Sequence, residues 1–192
     1  MADLNSIVQR LQTENDQNVV GSLLSKAKIA LLKANALTPS PNTPTDVLSA
    51  ARTIYEAGAL YAITSRQPDA FVRYYFQLLP FWSLPESRLP VEGSQREKIT
   101  GLYLLLLLVK GDYAGFHTEL EGIEMRGVDA WKDKYLGYPV KIERWLMEGA
   151  YDRVWGAMRE GEVPGVEFSV FQDVRAPVSR FRPAILSLSF KF

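Results

Sequence analysis

Apolar residues recur along most of this chain at three- and four-residue steps, the period of helices that bury one face. The densest stretch, GLYLLLLLVKGDYAGFHTELEGI from Gly101 to Ile123, instead opens on an unbroken apolar run. Between Lys98 and Lys110 there are only eleven uncharged residues, well short of the ~20 that a bilayer-crossing helix requires. A buried helix is the better expectation. Upstream, Ser94-Gln95-Arg96-Glu97 has capping-box spacing, with Ser94 expected to accept from the Glu97 amide while Glu97 reaches back. Gly111 supplies a stop, and Asp112 is placed to cap a second helix whose Phe116, Leu120 and Ile123 form one stripe. The stretch therefore predicts two helices around a tight turn.

The same shape recurs. WLMEGAYDRVW, from Trp145 to Trp155, repeats the order of LVKGDYAGF, from Leu108 to Phe116, with Gly111 and Gly149 38 residues apart; Asp69 precedes Asp112 by 43. A period of about 40 residues is that of stacked helix pairs of the tetratricopeptide or HEAT type. The pattern predicts helices near Asn18–Leu37, Thr45–Ser65, Asp69–Phe81, Ser94–Val109, Asp112–Met125, Pro139–Glu148 and Tyr151–Glu160, with Pro39, Pro41 and Pro44 making TPSPNTPT a linker. Ala50, Ala51, Ala57, Gly58, Ala59 and Ala62 would let another helix come close to the second of these. No alternating strand pattern precedes Gly161. The expected fold is all-α, a right-handed stack of helical hairpins.

Composition adds exclusions. The 192 residues carry 22 basic and 22 acidic side chains, so no basic field favours nucleic acid or an anionic membrane, and a neutral surface suits protein partners. The absence of cysteine removes disulfides, thiolate metal sites and cysteine nucleophiles, and an intracellular location is the default. MADLNSIVQRLQTEN lacks the basic start and apolar stretch of a signal peptide.

Candidate chemistry is sparse. His117, the chain's single histidine, has no GxSxG partner motif, and one turn before Glu121 it is expected to make a hydrogen bond or salt bridge on or between helices. One histidine without cysteine leaves no ordinary zinc ligand set. Neither GxGxxG nor GxxxxGK[ST] is present, so no phosphate cradle is recognisable. Glu119, Glu121 and Glu124 are expected on a solvated face, and Phe71, Tyr74, Tyr75 and Leu78 in a core rather than as a base-stacking platform.

The segments GLYLLLLLVKGDYAGFHTELEGI, YPVKIERWLMEGAYDRVWGAM and AARTIYEAGALYAITSRQPDAFVRYYFQL resemble the family of proteasome non-ATPase regulatory subunit eight, also called regulatory-particle non-ATPase subunit twelve, a PCI-type lid family. The resemblance runs in order from about Ser22 to Asp173 and is most specific at Phe116–Glu121 and Leu146–Tyr151. It implies a non-catalytic structural subunit of the 19S regulatory particle, with other regulatory-particle subunits as partners, in cytoplasm and nucleus. No cofactor, nucleic acid, membrane or small-molecule substrate is implied. Gly58, Gly101, Gly111, Tyr113, Phe116, His117, Glu119, Leu120, Pro139, Leu146, Met147, Glu148, Gly149 and Tyr151 carry the family signature as structural residues. A scaffold of another PCI complex, in the signalosome or a translation initiation factor, and a free-standing helical-repeat adaptor are the alternative readings.

The expected organisation is a helical-repeat domain over 1–160, the start of a PCI winged-helix region over 161–174 and a divergent tail over 175–192. Family members continue into a winged helix and a terminal helix. Here the chain reads RAPVSRFRPAILSLSFKF, with Pro177 and Pro183 and no acidic residue after Asp173. A retained intron, frameshift or alternative transcript is the expected origin of that tail, and AILSLSF within it is expected to favour aggregation.

Overall fold

The computed structural model describes residues 2–13, 17–159 and 164–170. The tail expected over 175–192, with its AILSLSF segment, lies outside the described residues, as do 160–163 and 171–174. Among the described residues the chain is helical without a strand, as expected. It divides into two compact units, Met1–Ile99 and Thr100–Phe192.

The first unit contains α1 (Ala2–Thr13), α2 (Gln17–Lys33), α3 (Thr45–Thr64), α4 (Pro68–Trp82) and the start of α5 (Arg96–Lys110). The centre is α3, which packs against α1, α2 and α4 and is therefore buried nearly all round. Its small residues act as the spacing suggests. A Cβ on Gly58 would lie 2.5 Å from the Tyr74 ring, so α4 reaches α3 only because that position has no side chain. Around this approach Tyr55 meets Phe81 and Tyr74 at centroid distances of 5.6 and 6.3 Å, and Tyr75 meets Trp82 edge-on at 5.8 Å. Phe71, Tyr74, Tyr75 and Leu78 are core residues. The Tyr55 hydroxyl donates to the Leu37 carbonyl at 3.1 Å, tying the proline linker to the same core.

Two differences from the sequence expectation arise in this unit. Helix α1 is additional, and its signal was present in Leu4, Ile7, Val8 and Leu11 at i, i+3, i+4 and i+7. Helix α2 stops at Lys33 rather than Leu37, because Asn35 takes the left-handed conformation at φ +49° and ends it.

The second unit holds the rest of α5, α6 (Tyr113–Met125), α7 (Gly137–Met147), α8 (Tyr151–Arg159) and the short α9 (Val166–Ser169). Leu102 and Leu104 to Leu108 are all buried, so the apolar run is protein core. Among the described residues no helix is long and apolar enough to cross a membrane. Asp112 caps α6, its Oδ1 accepting from the Gly115 amide at 2.9 Å. In the α6 stripe Phe116 and Ile123 are fully buried and Leu120 is half-buried. Before α7, Asp133 Oδ1 accepts from the amides of Tyr135 and Leu136 at 2.7 and 2.8 Å, ordering a turn that periodicity does not reveal. Phe168 of α9 is buried, stacked on Tyr135 at 6.1 Å and edge-on to Tyr138 at 6.2 Å.

Candidate functional site

Several of the residues singled out in the sequence make helix ends. Gly111 has φ +73°; its amide donates to the Leu108 carbonyl at 3.0 Å and the Asp112 amide to Leu107 at 2.9 Å. Gly149, at φ +70°, repeats the pair, its amide donating to Leu146 at 3.2 Å and that of Ala150 to Trp145 at 2.8 Å. These are Schellman ends, in which a left-handed residue turns two amides back onto otherwise orphaned carbonyls. Asn35 and Arg66, the two non-glycine residues at positive φ among the described residues, close α2 and α3 with the same pairing. The repeat visible in the sequence is thus a repeated helix termination.

Gly101 serves packing instead. A Cβ there would sit 2.5 Å from the Tyr135 carbonyl oxygen and 3.3 Å from the Phe168 ring. Pro139 is buried in the first turn of α7, where its missing amide costs no helical hydrogen bond. Leu146 is half-buried, Met147 is exposed, and the exposed Glu148 Oε1 accepts from Arg144 Nε at 2.8 Å.

His117 and Tyr113 both interact with Glu143, a residue that the sequence reading did not single out. His117 Nε2 lies 3.4 Å from Glu143 Oε1, with the imidazole more than half exposed, so the expected polar contact exists but reaches α7 rather than Glu121. Burial raises the pKa of the Tyr113 phenol, with Tyr151 and Glu143 adding to the shift. Glu119 acts in the same sense on Tyr103, whose phenol is raised first by burial. Glu119 is half-buried, while Glu121 and Glu124 are exposed. The His117–Glu143 contact links α6 to α7 at their polar edges.

Among the described residues the most buried polar cluster lies in the first unit and was also missed. Glu56 on α3 is 2% exposed and accepts from Ser94 Oγ at 2.9 Å and Trp82 Nε1 at 3.3 Å. Arg52, one turn earlier, donates to the carbonyls of Pro90 and Glu92, the latter at 3.2 Å, while its Nε stands 4.0 Å from Glu56 Oε1. Arg96 donates to the Trp82 carbonyl at 3.1 Å and sits over the Trp82 ring at 5.7 Å. Together they clasp the loop between α4 and α5. Arg88 of that loop donates to the carbonyls of Ser40 and Thr43 at 3.3 and 3.0 Å, fastening the proline linker as well. The capping box expected at Ser94–Glu97 is corrected by this geometry: Ser94 Oγ accepts from Arg96 at 3.3 Å and spends its proton on Glu56. Burial dominates the environment of Glu56 and raises its pKa; the hydrogen bonds from Ser94, Trp82 and Gln95 and the charge of Arg52 oppose that shift.

Among the described residues there is no group of three or more metal-ligating side chains.

A sequence model described as the CSN8/PSMD8/EIF3K family matches residues 94–182. The chain is also similar to the 26S proteasome regulatory subunit RPN12 of Saccharomyces cerevisiae, 32% identical over 178 residues that make up 91% of this chain and 65% of that protein. With the 26S proteasome non-ATPase regulatory subunit 8 homolog A of Arabidopsis thaliana it shares 36% identity over 86% of this chain and 61% of that protein. With the regulatory subunit rpn12 of Schizosaccharomyces pombe it shares 33% over 90% of this chain and 60% of that protein. The chain therefore spans between 60 and 65% of the length of these relatives. By this match in its second half, and by relatives aligned along most of its length, the chain is similar to members of the CSN8/PSMD8/EIF3K family.

Proposed function

We propose that this chain is a non-catalytic structural subunit of the 26S proteasome, part of the lid of its regulatory particle, where it supports assembly and ubiquitin-dependent degradation. The observation that carries this reading is the extent of the likeness: relatives named as proteasome regulatory subunits align over 86 to 91% of the chain, well beyond the segment matched by the family model. A helical scaffold whose buried polar groups fasten loops agrees with such a role. Its partners are then other regulatory-particle subunits, and it works in cytoplasm and nucleus without a cofactor. Within it, 1–160 forms the helical-repeat part, 161–174 leads toward a winged helix and 175–192 diverges, while the signature residues from Gly58 to Tyr151 hold the scaffold's geometry.

The test is affinity purification of the tagged chain at its native expression level, with mass spectrometry of its partners and its own C-terminal peptides. Stoichiometric recovery of lid subunits is expected. Recovery of signalosome or initiation-factor subunits in their place, or of no large complex, would overturn the assignment.

A further inference from the structure

The outward face of α7 has a composition that the packing of its own unit does not explain. Lys141, Arg144, Trp145 and Glu148 fall at i, i+3, i+4 and i+7, so they share one side of the helix. That spacing ordinarily marks a buried stripe, yet here the burial belongs to Tyr138, Val140 and Ile142. Trp131 from the preceding turn and Arg153 from α8 complete an open cleft of about 380 Å³ around the four. Trp131 is 49% exposed, leaving much of an indole in water.

The walls are held in place. Arg144 is fixed by its 2.8 Å hydrogen bond to Glu148 and lies 5.8 Å from the centre of the Trp131 ring. Among the described residues neither Lys141 nor Arg153 has a carboxylate within ion-pair distance. Three cations and one carboxylate leave the cleft with an excess of two positive charges on a chain whose formal net charge is zero.

We infer that this cleft docks an acidic segment of a partner protein, with an aromatic or aliphatic side chain set between the indoles and flanking carboxylates paired with Lys141 and Arg153. Tryptophan and arginine are the side chains that most often anchor interfaces, and the uncompensated charge selects an anionic occupant. Three cations beside apolar walls suit a short acidic peptide better than a nucleic-acid backbone, whose binding draws on many phosphate contacts. The segment after Asp173 has the wrong charge for this cleft, since Arg175, Arg180, Arg182 and Lys191 occur in it without any acidic residue. The inference goes beyond the proteasome reading and stands without it.

Fluorescence anisotropy on the full chain tests it, using a panel of short labelled peptides with one central phenylalanine, leucine or tyrosine among aspartates and glutamates. At least one is expected to bind saturably, with binding weakened severalfold as ionic strength rises toward the physiological range. Lys141→Glu with Arg153→Glu, and separately Trp131→Ala, are each expected to weaken it at least tenfold, while circular dichroism stays unchanged because these side chains are exposed or line an open cleft. Three results would overturn the inference: absence of saturable binding across the panel, equal binding by the variants, or preference for an oligothymidine that depends on the same residues. Concentration-dependent dimerisation abolished by the charge reversals would likewise overturn it, because the occupant would then be a second copy.

Discussion

Glu56 is a carboxylate set among apolar helices, and its protonation is tied to folding. Burial is the largest influence and places its pKa above the ordinary value of 4.5, so the folded chain holds this proton more tightly than the unfolded one. A group raised in this way contributes stability that is full below the ordinary value and is lost as pH rises through the raised one. Glu56→Gln keeps an oxygen for Ser94 and Trp82 without the buried charge, and at neutral pH it is expected to stay within about 1 kcal/mol of wild type. Glu56→Ala removes the charge partner of Arg52 and the acceptor of Ser94 and the Trp82 indole, and is expected to cost about 3–5 kcal/mol. In denaturant titrations from neutral pH toward 4.5, wild type should gain on Glu56→Gln. A difference that stays flat across that window would show that Glu56 is not the group being titrated. Gly101 is the steric counterpart: Gly101→Ala drives a methyl into the Tyr135 carbonyl, and a loss of about 1–3 kcal/mol is expected from the same titration.

At the scale of the element, Gly111 and Gly149 meet nothing within 4 Å of an added Cβ, so Gly111→Ala isolates the backbone cost of a left-handed helix end. About 1 kcal/mol of destabilisation is expected, and Arg66→Gly, at the same position of α3, should raise stability by a similar amount. Equal melting temperatures for Arg66→Gly and wild type would mean that other contacts of Arg66 offset the strain. These ends explain which parts of the fold were legible. Gly111-Asp112 and the apolar stripes announced α5 and α6 almost to the residue, because stop, cap and period agreed. The end of α2 was misplaced because Asn35 performs a glycine's role without its composition cue. The Arg52–Glu56 clasp was illegible for another reason: its members are separated by about 40 residues, and in sequence an i, i+4 ion pair resembles an exposed helix face. His117 was read correctly as a polar contact, but its partner Glu143 lies on another helix, and no local spacing reveals that.

For the molecule as a whole, protection should follow how completely each helix is enclosed. In the first unit α3 presents Leu48, Ala51, Ile54 and Ala59 with no exposure at all and meets neighbours on three sides, whereas the most buried residue described on α1 is Leu11 at 8%. In the second unit α5 carries the enclosed Leu102 and Leu104, while α8 shows only Val154 and Ala157 among its described buried side chains. Local opening is cheapest where few apolar contacts must be broken, so α1 and α8 should open without either core. Amide hydrogen exchange followed by mass spectrometry is expected to show α3 and α5 exchanging slowest, with α1 and α8 faster by at least an order of magnitude. Were α1 to exchange as slowly as α3, the first unit would have to open as a single cooperative body, and the all-round burial of α3 would not be the feature that sets its stability. With the expected order, adding the acidic peptide should slow exchange along α7 and the start of α8 while leaving α3 unchanged, which separates binding at the cleft from general stabilisation of the fold.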